Sequence, residues 1–491
     1  MSGSVSISWS QDRNTVLWFL AFVGVFAFYV IRSFSHLISH DVGWFLYGAG
    51  RLLDGARLYR DVIDLNPPLV FYLGMPAVWL GRIGGWSEID VYRILILLTI
   101  LLSLLLSSRL LNSVLSDLSL GLRRALFLFL ALLLTTLAAS DFGQREHVMA
   151  ILIFPYLCGV AVHAKRKDVR PGFGALVGLL AGIGFALKPY FPIPFIVLEI
   201  YLVRKLRGVS SLLRPDVLVV VGVQVLYWTV VLLCHKEYID IVVQMGQFYE
   251  AYDTTLEDTL ANRVTPFLLL SVPVFFAQRS NGRVKEFRSV TFVAGSAFFV
   301  VGVLQHKGWA YHFYPALTAL GLFLVASGAV AMMSWRKSRY FHWLTSTRFI
   351  NVIIPLTLIT LMITFDIVWS ARKKAHADLI PFLAQRAAGR SVFVFSTGMT
   401  PAFPAVNYSR AVWQSPFACL WFLPALYHDE GGQSNTPDGY NSLAQMGSLE
   451  RRFFNQVVSD LVTTPPSLLV SNTSEWKQAL GRRSFDFIQY Y

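Results

Sequence analysis

Apolar runs of about 15 to 20 residues recur from Thr15 almost to Trp369, each closed by a short connection that carries charge. A soluble domain has no interior large enough to hide so many of them. A bilayer core about 30 Å thick, by contrast, is crossed by about 20 apolar residues wound as a helix. The chain is therefore expected to be an all-α polytopic membrane protein. Composition agrees, since 55% of the 491 residues are hydrophobic and only 14% are charged. A net charge of +13 would suggest nucleic acid in a soluble protein, but here the basic residues sit in the connections and report topology. No nucleic-acid partner is expected. The first run, residues 15–31, follows Asp12 and Arg13 and has no small-x-small cleavage site, so it reads as a retained span and not a signal peptide. Cys158, Cys234 and Cys419 show neither CxxC nor Cys/His spacing, so no zinc site or disulfide framework is implied.

The other full-length candidates are residues 94–111, 125–139, 148–162, 173–187, 191–203, 217–233, 264–277, 290–304, 315–333 and 349–369, about eleven spans in all. A shorter run, residues 69–80, contains Gly74 and Pro76 and ends in "GRIGG". Charge decides its status. If it dips without crossing, "SSRLLNSVLSDLSLGLRR", "HAKRKDVR", "RKLRGVSSLLR", "QRSNGRVKEFR" and "SWRKSRYFHWLTSTR" all become inner loops, as the positive-inside rule asks. If it crosses, those basic clusters move outside. The expected topology is thus eleven spans, with the N-terminus inside and the C-terminus outside. Asn66-Pro67-Pro68 would start the dipping helix at about Pro67, with Asn66 as its cap and proline in the first turn.

After Trp369 the chain is less apolar. "SVFVFST" and "SLLVSN" read as buried strands, while residues 377–388 and 448–461 have helical apolar spacing. The expected organisation is a transmembrane domain over residues 1–369 and a small extracytoplasmic α/β domain over residues 370–491.

Within the span interiors only Glu199 and Asp366 are clear ionisable residues, both near a span end. Chemistry is expected at the outer connections instead. Asp41 is the first outer carboxylate, and its flanks Trp44, Phe45 and Tyr47 suggest a partly dehydrated site in which a carboxylate gains basicity. Asp54, Asp61 and Asp64 fit a surface helix with an Arg57–Asp61 pair. "DFGQREH" places Asp141, Arg145, Glu146 and His147 within seven residues, more polar groups than a turn needs. Arg145 suits a phosphate through its planar fork, with Glu146 orienting it or holding a cation. Lys188 in "FALKPYF", and Lys307, Tyr311 and His312 in "QHKGWAYHFYP", stand at two further outer span ends. A lysine there can simply snorkel, and the aromatics suit an interfacial belt. Taken together, Arg145, Lys188 and Lys307 offer three cations to a phosphate leaving group. Tyr249 and Tyr252 can stack on a sugar or line a membrane-surface helix.

An aspartate just after the first span, followed by "GRLLDGARLYRDVIDLNPPLVFYL", resembles the membrane-embedded glycosyltransferases of the GT-C superfamily, in particular the protein mannosyltransferase and aminoarabinose transferase-like group. The resemblance is good over residues 33–203, extends in architecture to Trp369 and is weak beyond it. It implies juxtamembrane helices in the first outer loop, a catalytic aspartate that lands on Asp41, a polyprenyl-phosphate sugar donor at the outer face, and inversion at the anomeric carbon. The group often has an Arg-Pro-Asp acidic element before the fourth span. Here Gln144-Arg145-Glu146-His147 stands in that place, so Glu146 takes the like position and the metal requirement stays open between none and a divalent ion, Mg or Mn.

The expected function is transfer of a sugar from a polyprenyl-phosphate donor to a glycan, lipid or protein acceptor, with the donor and membrane lipid as partners. Asp41 would be the base and Glu146 or Asp141 would orient the acceptor or bind a metal. The expected location is the bacterial inner (plasma) membrane, with the C-terminal domain in the periplasm. The alternative is a lipid-linked sugar or polysaccharide transporter or flippase, which would line a through-path with polar residues; a third is a non-catalytic envelope assembly partner.

Overall fold

The structure is a computed structural model that describes residues 9–34, 36–250, 252–277, 282, 284–335, 342–346, 349–371, 378–426, 440–471 and 487–491. Its helices begin with α1 (Trp9–Ser33), α2 (His40–Leu53), α3 (Leu69–Gly84), α4 (Glu88–Val114), α5 (Leu120–Leu134), α6 (Arg145–Ala164) and α7 (Pro171–Phe185). They continue with α8 (Pro192–Leu206), α9 (Pro215–Cys234), α10 (Lys236–Glu250), α11 (Leu256–Leu260), α12 (Thr265–Ala277), α13 (Lys285–Leu304) and α14 (Tyr314–Trp335). The last are α15 (Ile354–Ala371), α16 (Leu379–Ala387), α17 (Ala402–Ser409), α18 (Leu423–Leu426), α19 (Ser448–Thr463) and α20 (Phe487–Tyr490).

Every expected span is helical. Among the described residues, eight helices are long and apolar enough to cross a bilayer. The other three expected spans are α7 and α8, of 15 residues each, and α12, of 13 residues. At 1.5 Å per residue they reach about 20 to 23 Å, short of a full hydrocarbon core. The protein is thus a polytopic helical membrane protein with spans of unequal length.

The chain divides into two compact units. The first comprises Met1–His36, Arg93–Tyr227 and Leu256–Lys373. At its centre α6 is buried along almost its whole length and packs on α5, α7, α8, α13 and α14. α13 and α14 also approach closely, and a Cβ on Gly295 would lie 3.0 Å from the Leu320 backbone nitrogen. Polar contacts sort the connections of this unit to two ends. At one end Lys165 reaches Asp117 at 3.4 Å, Asp117 accepts from the Val284 N–H, and Lys205 pairs with Glu286 at 3.5 Å. That end gathers basic connections expected to lie together. At the opposite end Arg32, closing α1, donates to Asp366 of α15 at 2.8 Å, and Arg93 donates to the His36 carbonyl. Because His36 and Arg93 meet, the segment between them leaves and re-enters at one place, and an odd number of crossings by α2 and α3 is excluded.

The second unit comprises Leu37–Tyr92, Trp228–Thr255 and Lys374–Tyr491. Its three-stranded parallel sheet has the order β2-β1-β3, with β1 (Ser391–Phe395), β2 (Val412–Trp413) and β3 (Leu468–Ser471). β1, β3, α16 and α19 fall where hydropathy puts them, whereas the two-residue β2 is not among the expected strands. The three segments are joined directly: the Ile63 N–H donates to the Pro416 carbonyl at 2.8 Å, the Tyr252 hydroxyl to the Trp421 carbonyl at 2.6 Å, and Arg452 to Gln244 at 2.7 Å. The Tyr252 hydroxyl is thus committed to the C-terminal segment.

Two local expectations are corrected here. Asn66 does not cap α3, which has Pro68 at its N-cap with no side-chain bond; the Asn66 amide groups donate to Asp64 Oδ1 at 2.6 Å instead. The Arg57–Asp61 pair exists at 3.6 Å, but it closes a turn beyond the end of α2 and not a helix face.

Candidate functional site

The polar groups of the first unit converge at the start of α6. Gln144 is the N-cap, and Arg145 and Glu146 form the first turn. An acidic residue suits that place, because the unpaired N–H groups of the first turn carry partial positive charge. Glu146 is nonetheless fully enclosed, at 0% exposure. A buried carboxylate needs a counter-charge. Lys188, just beyond α7, supplies it: its Nζ donates to Glu146 Oε1 at 2.5 Å and to Gln305 Oε1 at 3.1 Å.

Gln305 closes α13, and the turn that follows has left-handed backbone at His306 (φ 53°) and Gly308 (φ 60°). That reversal leads into the short helical turn Ala310–Phe313, so Lys307, Tyr311 and His312 return to the same place. His312 Nε2 stands 4.0 Å from Glu146 Oε1, the Tyr311 ring meets the His312 ring edge-on at 4.5 Å, and Lys188 Nζ lies 5.6 Å from the Tyr311 centroid. Arg145, Lys188 and Lys307 all act electrostatically on His312, and each is buried. Two buried polar atoms of the cluster, Glu146 Oε2 and His312 Nδ1, have no hydrogen-bond partner among the described residues. In a buried network such atoms cost stability unless a ligand completes them.

His147 and Asp141 have other tasks. His147 Nδ1 accepts from the Gly143 N–H at 2.9 Å, so the proton lies on Nε2, which donates to the Leu134 carbonyl at 2.9 Å. Both nitrogens are committed to backbone, and the imidazole positions the loop that carries Glu146. Asp141 pairs with Arg263 at 3.1 Å and accepts from the Ser140 hydroxyl. Gln305 and Arg263 were not singled out from the sequence. Gln305 had a signal, as the residue next but one before Lys307 at a span end. Among the described residues no group of three or more His, Cys, Asp or Glu is placed to hold a metal ion.

Asp41 belongs to the second unit. Ser39 caps α2 by accepting from the Val42 N–H at 3.3 Å, which sets Asp41 in the first turn at 8% exposure. His40 Nε2 is 3.6 Å from its Oδ1. The neighbouring aromatics form walls. Trp44 Nε1 donates to Asp64 at 2.7 Å and meets Phe403 edge-on, while the Tyr47 hydroxyl donates to the Trp413 carbonyl at 2.9 Å. Burial raises the Tyr47 pKa, so this hydroxyl stays a donor. Burial, and with it the charges of Asp64 and Asp41, also pushes the Cys419 thiol up, which marks one apolar neighbourhood around both carboxylates. Asp54 is bound by Arg82 at 2.6 Å on the surface.

Two solved structures share this fold. The structure of ArnT from Cupriavidus metallidurans bound to undecaprenyl phosphate aligns over 80% of this chain and 85% of its own, with a TM-score of 0.55 at 15% identity. The same protein in the apo state aligns over 81% and 85%, with a TM-score of 0.56 at 14% identity. No protein-family model and no curated protein matches the chain.

Proposed function

We propose that the protein is a membrane glycosyltransferase that moves a sugar from a polyprenyl-phosphate donor to an envelope glycan, lipid or protein at the outer face. The observation that carries the proposal is the buried set Arg145, Lys188 and Lys307 around Glu146 and His312, in which Glu146 Oε2 and His312 Nδ1 have no hydrogen-bond partner among the described residues. Cations enclosed at low dielectric stabilise charge that develops on a departing phosphate oxygen far more than they would in water. The fold shared with ArnT, a protein that has been solved with undecaprenyl phosphate, supports a lipid phosphate as the occupant.

In this reading Asp41 accepts the proton of the acceptor hydroxyl as its oxygen attacks the anomeric carbon. The bond to the phosphate breaks on the opposite face, which gives inversion. Lys188, held by Glu146 and Gln305, receives the leaving oxygen together with Arg145 and Lys307. No general acid is required, because the polyprenyl phosphate monoester leaves as a stabilised anion. His312 Nδ1 is left to bond a donor oxygen. The donor set favours neutralisation by side chains over a divalent ion, since Glu146 Oε1 is taken by an ammonium and Asp141 by a guanidinium. The basic end of the first unit is then cytoplasmic, and the second unit lies in the periplasm of a bacterial inner membrane.

The test is turnover of a panel of polyprenyl-phosphate sugars by protein in nanodiscs, followed as transfer or slow hydrolysis. Replacement Asp41→Asn should lower turnover about 10²- to 10⁴-fold, the range for loss of a general base. Equal rates in wild type and variant defeat the assignment, and lipid that changes leaflet with no bond broken establishes the transporter instead.

A further inference from the structure

The basic end of the first unit carries a second feature that the transfer reaction does not use. Between α8 and α9 lies a cleft of about 500 Å³, walled by Phe195, Ile196, Ile200, Leu218 and Val221 and reached at one end by Arg204. Its walls are open to the bilayer: Ile196 is 52% exposed, Ile200 48% and Leu218 53%. Glu199 also borders it, but both of its oxygens accept from Arg214, at 2.8 and 3.1 Å, so the cleft does not present a bare charge. From Ile196 to Arg204 the cleft follows α8 for about 12 Å, most of one leaflet's hydrocarbon depth.

We infer that this cleft is a binding site for an anionic phospholipid of the leaflet at the basic end, with one acyl chain between α8 and α9 and the phosphate at Arg204. The occupant is a lipid because an apolar groove on spanning helices is filled by hydrocarbon in the bilayer. Its headgroup is anionic because the charge at the cleft's end is cationic. Arg204 is exposed in the last turn of α8 and Arg207 is exposed at its C-cap, whereas the neighbouring Lys205 is taken by Glu286. The short turn Val209–Leu213 that follows presents Val209 and Leu213, 72% and 70% exposed, which suits an interfacial anchor beside the headgroup.

Native mass spectrometry of the delipidated protein with added phosphatidylglycerol or phosphatidylethanolamine of the same chains tests this. Wild type should retain phosphatidylglycerol preferentially. Arg204→Gln should reduce that preference about fivefold, the effect of one basic residue near an anionic headgroup. Val221→Trp, which fills the cleft, should remove retention of both lipids, and Ile200→Trp on the facing helix gives the same reading should Val221→Trp fail to fold. Leu226→Trp, exposed on α9 and outside the cleft, should retain lipid as wild type does. Equal retention of the two lipids, undiminished retention in both filled variants, or a second protein copy that disperses when the cleft is filled would each overturn the inference.

Discussion

The first unit contains two buried carboxylate–cation networks at its opposite ends, and they differ in how completely they are satisfied. At the basic end Glu199 accepts from Tyr156 and twice from Arg214, whose guanidinium also reaches both oxygens of Asp216, at 3.2 Å each. At the other end Glu146 accepts from Lys188 through one oxygen only, and Glu146 Oε2 and His312 Nδ1 remain without partners among the described residues. Both networks bear the desolvation cost of buried charge. The first is closed on itself and serves the junction of α8 and α9. The second is organised but less complete among the described residues, which is what the proposed phosphate site would require.

If that contrast is sound, the closed network should govern stability and the open one function. Arg214→Ala strands two buried carboxylates and should cost about 3 to 5 kcal/mol, read as an early thermal unfolding transition in detergent. A transition unchanged by that variant would break the comparison. His147→Ala frees the Gly143 N–H and the Leu134 carbonyl, so a loss of about 1 to 3 kcal/mol per stranded group is expected. His147→Asn, which retains a donor and an acceptor, should recover part of it. Gln305→Ala removes one neutral partner of Lys188 and should be the mildest, about 0.5 to 1.5 kcal/mol in stability, with a larger effect on donor KM than on kcat. An equal fall in kcat and kcat/KM would instead place Gln305 in the transition state.

Much of this architecture is legible in the chain, because hydropathy and basic loops are summed over many residues and tolerate local error. The contact of His36 with Arg93 agrees with a non-crossing α3 on geometry independent of charge counting. Asp41, Arg145, Lys188 and Lys307 could be singled out because polar residues at span ends are conspicuous. Their partners could not: Lys188 meets Glu146 across 42 positions and Gln305 across 117, and hydropathy carries no record of such pairings. His147 was misleading for a related reason, since a histidine that bonds two backbone groups looks the same in sequence as one that faces a ligand. The joining of the first loop to the C-terminal segment, through Ile63 and Pro416, likewise depends on a contact between distant positions.

The central claim is that the open network receives a lipid phosphate, and equilibrium binding of undecaprenyl phosphate to wild type and to Lys188→Met, with the uncharged polyprenol as reference, tests it most directly. Wild type should prefer the phosphate, and Lys188→Met should lose about 10²-fold in its affinity while binding the polyprenol as before, in keeping with the loss of one enclosed charge-stabilising donor. Polyprenol bound as tightly as its phosphate, or phosphate affinity untouched by Lys188→Met, would contradict it.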